Sequence, residues 1–303
     1  MYTDIGSYPR KNAVSRFFAG KSTKIDGFAK LLQNSTVRPL RPFMNELRVT
    51  KSEAELNNMR RAGHISGAVI TEAMKNSYKT EKQLWADLAY GFKTQGLDGE
   101  AYVPVVGGGK NALSIHYVRN DDVLRSGETV LVDAGGEYGG YITDITRTWP
   151  VDRKFTDAQR DLYSMILDVQ KSCISPCRED GDVSLDKLHR VAENGLKEGL
   201  KDLGFDTSRS DCLETLFPHH VGHYIGLDVH DAPGYPRTDH LKENNCITIE
   251  PGIYVPVGDE RWPKHFRGLG IRIEDSVRIG SEKVEVLTST AVKEIEEIEA
   301  LRP

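Results

Sequence analysis

Residues 133–144 read DAGGEYGGYITD, and the stretch opens and closes on an aspartate, Asp133 and Asp144. Four glycines lie between them, VLV precedes and ITRTWP follows. Apolar β-formers on both sides and EYGG in the middle predict two antiparallel strands joined by a turn. The arms of such a hairpin lie within roughly 5 Å of each other. Two carboxylates there repel unless positive charge lies between them, and an unpaired carboxylate in a core-like strand is costly. Taken alone, the stretch also suits a surface hairpin with solvated aspartates.

Two other segments repeat the oddity. CITIEPGIYVP (246–256) sets Glu250 in a β-branched run, and GLGIRIEDSVRI (268–279) does the same with Glu274. Arg272 shares the face of Glu274, because positions i and i+2 of a strand point the same way. Between the acidic pairs stands PHHVGHYIGLDVHD (218–231), with His219, His220, His223 and His230. A lone histidine is usually structural, but four within twelve residues beside glycines mark a site. Two Asp, one His and two Glu at or near strands make a ligand set for two divalent ions. Four carboxylates and a bridging hydroxide nearly balance the charge of two such ions. Hard oxygen donors with one imidazole suit Mn²⁺ or Co²⁺, with Zn²⁺ an alternative. The absence of cysteine from the set argues against a structural zinc site.

Around these segments the chain alternates helices and strands. Ser52 with Glu53 and Glu55 predicts a helix start, followed by apolar residues at 56, 59, 62, 65, 69 and 73. Thr80 with Gln83 is a capping-box pattern opening a second helix with Leu84, Leu88 and Phe92 as its stripe. Strands are expected at AYVPVVGGG, LSIHYV, TVLVDAG and YITDITRTW. Helices at 157–175 and 184–203 then precede strands at 246–257 and 269–279. The order helix, helix, strands occurs twice, which gives an α+β domain of two similar halves around an antiparallel sheet. TAVKEIEEIEAL (290–301) is expected to close the chain as a charged helix. Residues 1–48 are expected to be an irregular linker, with RPLRPF extended, and residues 49–303 the domain.

Composition sets outer bounds. The chain has 303 residues and a formal net charge of −5, so no basic face points to nucleic acid. No apolar run approaches the roughly 18 residues that span a bilayer, and no secretory apolar region follows Met1. The first 48 residues hold nine Lys/Arg against three Asp/Glu, a bias shared by transit peptides and basic linkers; the linker is favoured here. Cys173, Cys177, Cys212 and Cys246 form no C-x-x-C pair and are expected to be reduced thiols. GGGK at 107–110 lacks the glycine spacing and the following Ser/Thr of a phosphate loop.

The spacing D-x₁₀-D, the H-x₆-H of HYIGLDVH, the IEPGIY segment and the RIED segment resemble the metallopeptidases of the pita-bread fold. PHHVGHYIGLDVHD, TIEPGIYVP and FRGLGIRIED are most similar to the aminopeptidase P family, and within it to the mitochondrial, intermediate-cleaving type. The resemblance spans roughly residues 46–300. It implies a di-metal aminopeptidase with a metal-bridging hydroxide as nucleophile, acting on peptide or protein N-termini, with a homodimer and a mitochondrial location as further expectations. By resemblance Asp133 binds one metal, His223 and Glu250 complete the other site, and Asp144 and Glu274 bridge. Glu250 is then the proton shuttle, and His116 (in LSIHYV) and His230 contact the substrate and stabilise the tetrahedral intermediate. His219 lies beside the proline subsite, Tyr254 supports the substrate, and Arg272 orients a ligand carboxylate. His220 receives no role, and His64 and His189 are assigned to surface or packing. The family also carries an N-terminal creatinase-like domain, of which residues 1–45 would be at most the tail. Metal binding is expected to survive without that domain, and substrate closure to weaken. Methionine aminopeptidase shares the ligands, but HYIGLDVHD and Tyr254 after EPG favour aminopeptidase P. A non-catalytic pita-bread binding module typically loses ligands, and a creatinase-like hydrolase needs a different pocket and no di-metal cluster.

Overall fold

The computed structural model describes residue 36 and residues 38–302. The expected linker and targeting bias of residues 1–35 lie outside the described residues. Contrary to the expectation of an irregular lead-in through residue 48, helix α1 spans Arg41–Val49. Pro42 stands in its first turn, where the missing N–H has no helical partner to lose.

Helix α2 spans Glu53–Lys75 with Ser52 as N-cap: the Ser52 hydroxyl accepts from the Glu55 N–H, and the Glu55 carboxylate accepts from the Ser52 N–H. Leu56, Met59, Ala62, Val69 and Ala73 form its buried face, as their spacing predicts. Helix α3 spans Glu81–Thr94. Thr80 caps it by accepting from the Gln83 N–H, but the Gln83 side chain accepts from Lys79, not from the cap itself. The second pair of long helices is α4, Asp157–Ile174, capped by Thr156 and Gln159, and α5, Leu185–Asp202, capped by Ser184. Short helices α6, Cys212–Leu216, and α7, Ile295–Ala300, complete the set.

The strands are β1 Gly99–Glu100, β2 Val105–Gly108, β3 Thr129–Asp133, β4 Gly136–Tyr138, β5 Tyr141–Ile142 and β6 Thr146–Pro150 in the first half. The second half holds β7 Cys246–Ile249, β8 Gly252–Tyr254, β9 Gly270–Arg272, β10 Asp275–Arg278 and β11 Glu285–Val286. They pair as β2-β3-β6, β1-β4-β5, β11-β10-β7 and β8-β9, with every pairing antiparallel. Each half thus places two long helices before its main strands, and the α+β expectation is met. LSIHYV is not a strand: residues 109–113 form a 3-10 turn, and a further turn and irregular backbone carry His116.

One core spans both halves, with Val132 and Trp149 from one set of strands and Ile247 and Ile271 from the other. A polar cross-link runs beside it. The fully buried Arg147 on β6 donates to Asp275 on β10 at 2.7 Å and to the carbonyls of Ala291 and Val292. Asp275 also accepts from Gln170, Thr288 and Lys293. Those contacts explain why TAVKE is not helical. Its carbonyls are held by Arg147 and Lys293 is drawn to Asp275, so the last helix starts only at Ile295. All four cysteines are buried and unbridged.

Candidate metal centre and cleft

Asp133 ends β3, and Asp144 lies in the short segment before β6. The pairing of Asp133 with Thr146 and the bond from the Ala134 N–H to the Ile145 carbonyl hold the two arms together. Between the carboxylates the chain makes the expected turn, with Gly139 and Gly140 at φ of 57° and 82°. Gly135 allows the close approach: a Cβ there would lie 1.8 Å from the Thr143 carbonyl oxygen. Tyr102 stands over the pair, its hydroxyl 2.7 Å from Asp133 Oδ1 and 2.5 Å from Asp144 Oδ1. A phenol carries one proton, so it donates to one carboxylate at a time.

The second half supplies the remaining groups. The Glu274 N–H donates to the Thr146 carbonyl, and Ser276 exchanges hydrogen bonds with the Asp144 main chain. The connection between β9 and β10 therefore lies directly against the Asp144 segment. Residues 221–225 run along β7 through bonds from Thr248 to His223 and from Glu250 to Val221. That brings the His223 Nε2 to 3.5 Å from Asp144 Oδ2 and 3.6 Å from Glu250 Oε1. Its Nδ1 is 3.0 Å from the Tyr224 carbonyl and donates to it, which leaves Nε2 as the inward-facing donor atom. Asp144, His223 and Glu274 each offer a ligand atom, and these atoms lie within 4.8 Å of one another. Asp133 joins this group through Tyr102, and Glu250 through His223.

The electrostatics are those of a largely desolvated site with too much negative charge. Burial and then the neighbouring Asp144 push the Asp133 carboxyl up to about 7. Burial and the surrounding carboxylates push Glu274 well above its ordinary value, and burial raises Glu250 as well. For Asp144 burial is outweighed by the hydrogen bond and charge of His223, and its carboxyl is held low. Burial alone would lower His223, but Asp144 and Glu250 raise it to about 9. Four carboxylates and one imidazole in this space fit hard divalent cations, which replace protons as the balancing charge.

A hydrogen-bonded chain backs the cluster. Arg272 Nη2 donates to Asp133 Oδ2 at 2.6 Å, Nε donates to Thr146 Oγ1, and Nη1 donates to the Tyr254 hydroxyl at 2.7 Å. The Thr146 hydroxyl donates to Glu274 Oε2 at 2.6 Å. His219 Nδ1 donates to the His220 carbonyl, so its Nε2 accepts from Tyr254 at 2.9 Å. Burial, helped by the charge of Arg272, lowers His219 to about 3, in keeping with a neutral acceptor.

A cleft of about 460 Å³ opens on the Glu250 and His223 side, and His116, His219, His230 and Arg237 line it. His230 sits edge-on to His223, with ring centroids 4.4 Å apart. His116 reaches the cleft from a turn, not from the strand expected. His220 stacks on His189 at 4.2 Å, consistent with the packing role given to His189. Tyr102 and Thr146 escaped the sequence reading, because a tyrosine or threonine in a strand-like run carries no mark of chemistry.

Helix pairs and antiparallel strands arranged twice around one carboxylate-rich centre are the architecture of the pita-bread class. Residues 57–281 match the metallopeptidase family M24, and the chain belongs to that family. It is 47% identical to intermediate cleaving peptidase 55 of Saccharomyces cerevisiae over 268 residues, covering 88% of this chain and 52% of the relative. It is 39% identical to Xaa-Pro aminopeptidase 3 of Rattus norvegicus over 279 residues, covering 90% of this chain and 55% of the relative. The crystal structure of Icp55 from Saccharomyces cerevisiae superposes with a TM-score of 0.88 at 45% identity, covering 94% of this chain and 67% of that one. The chain spans about half the length of the curated relatives it matches.

Proposed function

We propose that residues 49–303 form a metallo-aminopeptidase unit that releases the N-terminal residue of peptides or processed proteins, with aminopeptidase P-like preferences. The observation that carries the reading is the convergence of Asp144, His223 and Glu274, with Asp133 and Glu250 beside them. These five residues would hold two divalent ions, Mn²⁺ first among Mn²⁺, Co²⁺ and Zn²⁺. When bound, such a pair supplies a water-derived nucleophile near neutral pH and polarises the scissile carbonyl. Glu250 lies both at the cluster and in the cleft wall, the place from which a carboxylate takes a proton and returns it to the leaving nitrogen. His230 and His116 face the same cleft and would hold the substrate and the developing oxyanion. Arg272 fixes the free oxygen of Asp133, and Tyr254 couples that guanidinium to His219. A mitochondrial site of action is supported by the resemblance to the intermediate-cleaving type.

The test is elemental analysis and a peptide-library digest of the Mn²⁺-loaded protein, read by mass spectrometry. The expected result is about two bound ions and removal of single N-terminal residues. Internal cleavage, or no cleavage at full metal loading, would overturn the proposal. Asp144→Ala and Glu274→Ala are each expected to lose metal and turnover together, and full occupancy in either variant would remove that residue from the ligand set.

A further inference from the structure

Glu81, the first residue of α3, is fully buried and has no ion-pair partner among the described residues within 4.0 Å. Its carboxylate is instead surrounded by donors. Oε1 accepts from the Gly108 N–H at 2.9 Å and from Asn111 Nδ2 at 2.8 Å. Oε2 accepts from the Tyr117 hydroxyl at 2.8 Å and from the Asp122 N–H at 2.9 Å. The main chain closes the same loop, because the Glu81 N–H donates to the Asp122 carbonyl and Thr80 bridges to Val123. All four donors belong to residues 108–122, the segment that delivers His116 to the cleft. His116 is exposed in a turn with no regular strand to fix it.

Desolvating a carboxylate is costly, and here the cost is offset by the four hydrogen bonds this loop supplies, which hold only while the loop keeps its arrangement. We infer that Glu81 is a positioning residue: its four hydrogen bonds set the 108–122 loop, and through the adjacent Tyr117 they fix where His116 stands in the cleft. The inference rests on the proposed peptidase reading for its consequence in turnover, and on geometry alone for its consequence in the loop. A glutamine at this position would turn two of the four acceptor sites into N–H donors facing donors. Tyr117 can rotate its hydroxyl, whereas the Asp122 and Gly108 N–H groups cannot be reversed.

The experiment uses the metal-loaded 303-residue chain and Glu81→Gln, with Tyr117→Phe as a milder variant that removes one of the four bonds to Glu81 and the bond from Asn111 to the same hydroxyl. Glu81→Gln is expected to lower kcat/KM about tenfold with metal content unchanged. In a His116→Ala background the same change should cost less than about twofold, whereas in a His230→Ala background the tenfold loss should persist. An equal loss in both backgrounds would show a diffuse structural role and overturn the inference, as would no loss in the wild-type background. Amide hydrogen exchange gives the arm that needs no peptidase activity: residues 108–122 should exchange faster in Glu81→Gln, and less so in Tyr117→Phe, with other segments unchanged. Unchanged exchange in that loop would overturn it. A wild-type chain without peptidase activity would refute the proposed function, and the exchange result would still decide the role of Glu81.

Discussion

His230 separates chemistry from packing at the scale of one side chain. It lines the cleft and lies edge-on to His223, but, unlike Asp133 and Glu250, it makes no hydrogen bond or close ion pair with the groups of the cluster. His230→Ala should therefore keep the metal content of the wild type and lower kcat by about 10²–10³, the loss typical of one oxyanion donor. An unchanged kcat would reduce His230 to a wall of the cleft. Legibility at this scale follows from conflict. Asp133, Asp144, Glu250 and Glu274 announced themselves because a carboxylate in a β-branched run contradicts burial, and the structure places each in the cluster or against it. Tyr102 bridges the first two of these carboxylates yet breaks no local rule, because a tyrosine in a strand-like run such as AYVPVV is ordinary, although the backbone at Tyr102 is irregular and β2 begins only at Val105. Only the folded arrangement reveals it.

Among the elements, two of the failures of sequence reading, at LSIHYV and at TAVKE, have one cause. LSIHYV alternates like a strand, and TAVKE extends a good helical pattern, but buried polar side chains elsewhere claim their backbones. Glu81 holds the backbone on either side of the first, at Gly108 and Asp122, and the Tyr117 hydroxyl within it, while Arg147 holds the carbonyls of Ala291 and Val292 in the second. Tertiary hydrogen bonds of this kind outrank local propensity, and no pattern within a segment encodes them. The caps at Ser52, Thr80, Thr156 and Ser184 were or could be read locally because both partners lie within a few residues. The Asp275 link makes a prediction. Asp275→Asn preserves shape but leaves the buried Arg147 guanidinium without a counter-charge. The expected loss is about 3–5 kcal/mol, measured by urea unfolding, and a loss below about 1 kcal/mol would show that Arg147 does not depend on the charge.

The partly exposed link between α2 and β11 gives a pH-dependent counterpart. Arg60 donates to both oxygens of Glu285 and Arg278 donates to one, and the hydrogen bond with Arg60 leads in holding the Glu285 carboxyl below its ordinary value. A depressed folded pKa gives stability that is complete above the unfolded value of about 4.3 and is lost as pH falls through the folded value. Solvent screening limits the whole effect to about 1 kcal/mol. Wild type should therefore exceed Glu285→Gln in stability at pH 7, and the gap should close as the solution is acidified below about pH 4. A gap that stays constant into acid would show that packing, not charge, separates them.

Across the whole molecule, the candidate centre is a seam. Asp133 and Asp144 come from the first half, and His223, Glu250 and Glu274 from the second. The halves also meet through the core and through Arg147, so the chain folds around the seam, but four closely set carboxylates there, two buried and two half-buried, oppose one another. A cation held by both sides, as proposed, would relieve that repulsion in the folded chain and would have no such site in the unfolded one. It would then stabilise the fold by mass action: free ion at 100 times its dissociation constant adds about 2.7 kcal/mol. For a domain of this size each kcal/mol moves Tm by about 2–4 °C, so Mn²⁺ should raise Tm by roughly 5–10 °C over the chelator-treated protein. Asp144→Ala removes the residue that touches the cluster from both sides, Tyr102 on one and His223 on the other. Its Tm should be nearly indifferent to Mn²⁺, while its chelator-treated Tm need not fall below that of the wild type, because one source of repulsion has gone. Equal Tm values for wild type with Mn²⁺ and with chelator would mean that the two halves do not share a cation at this seam.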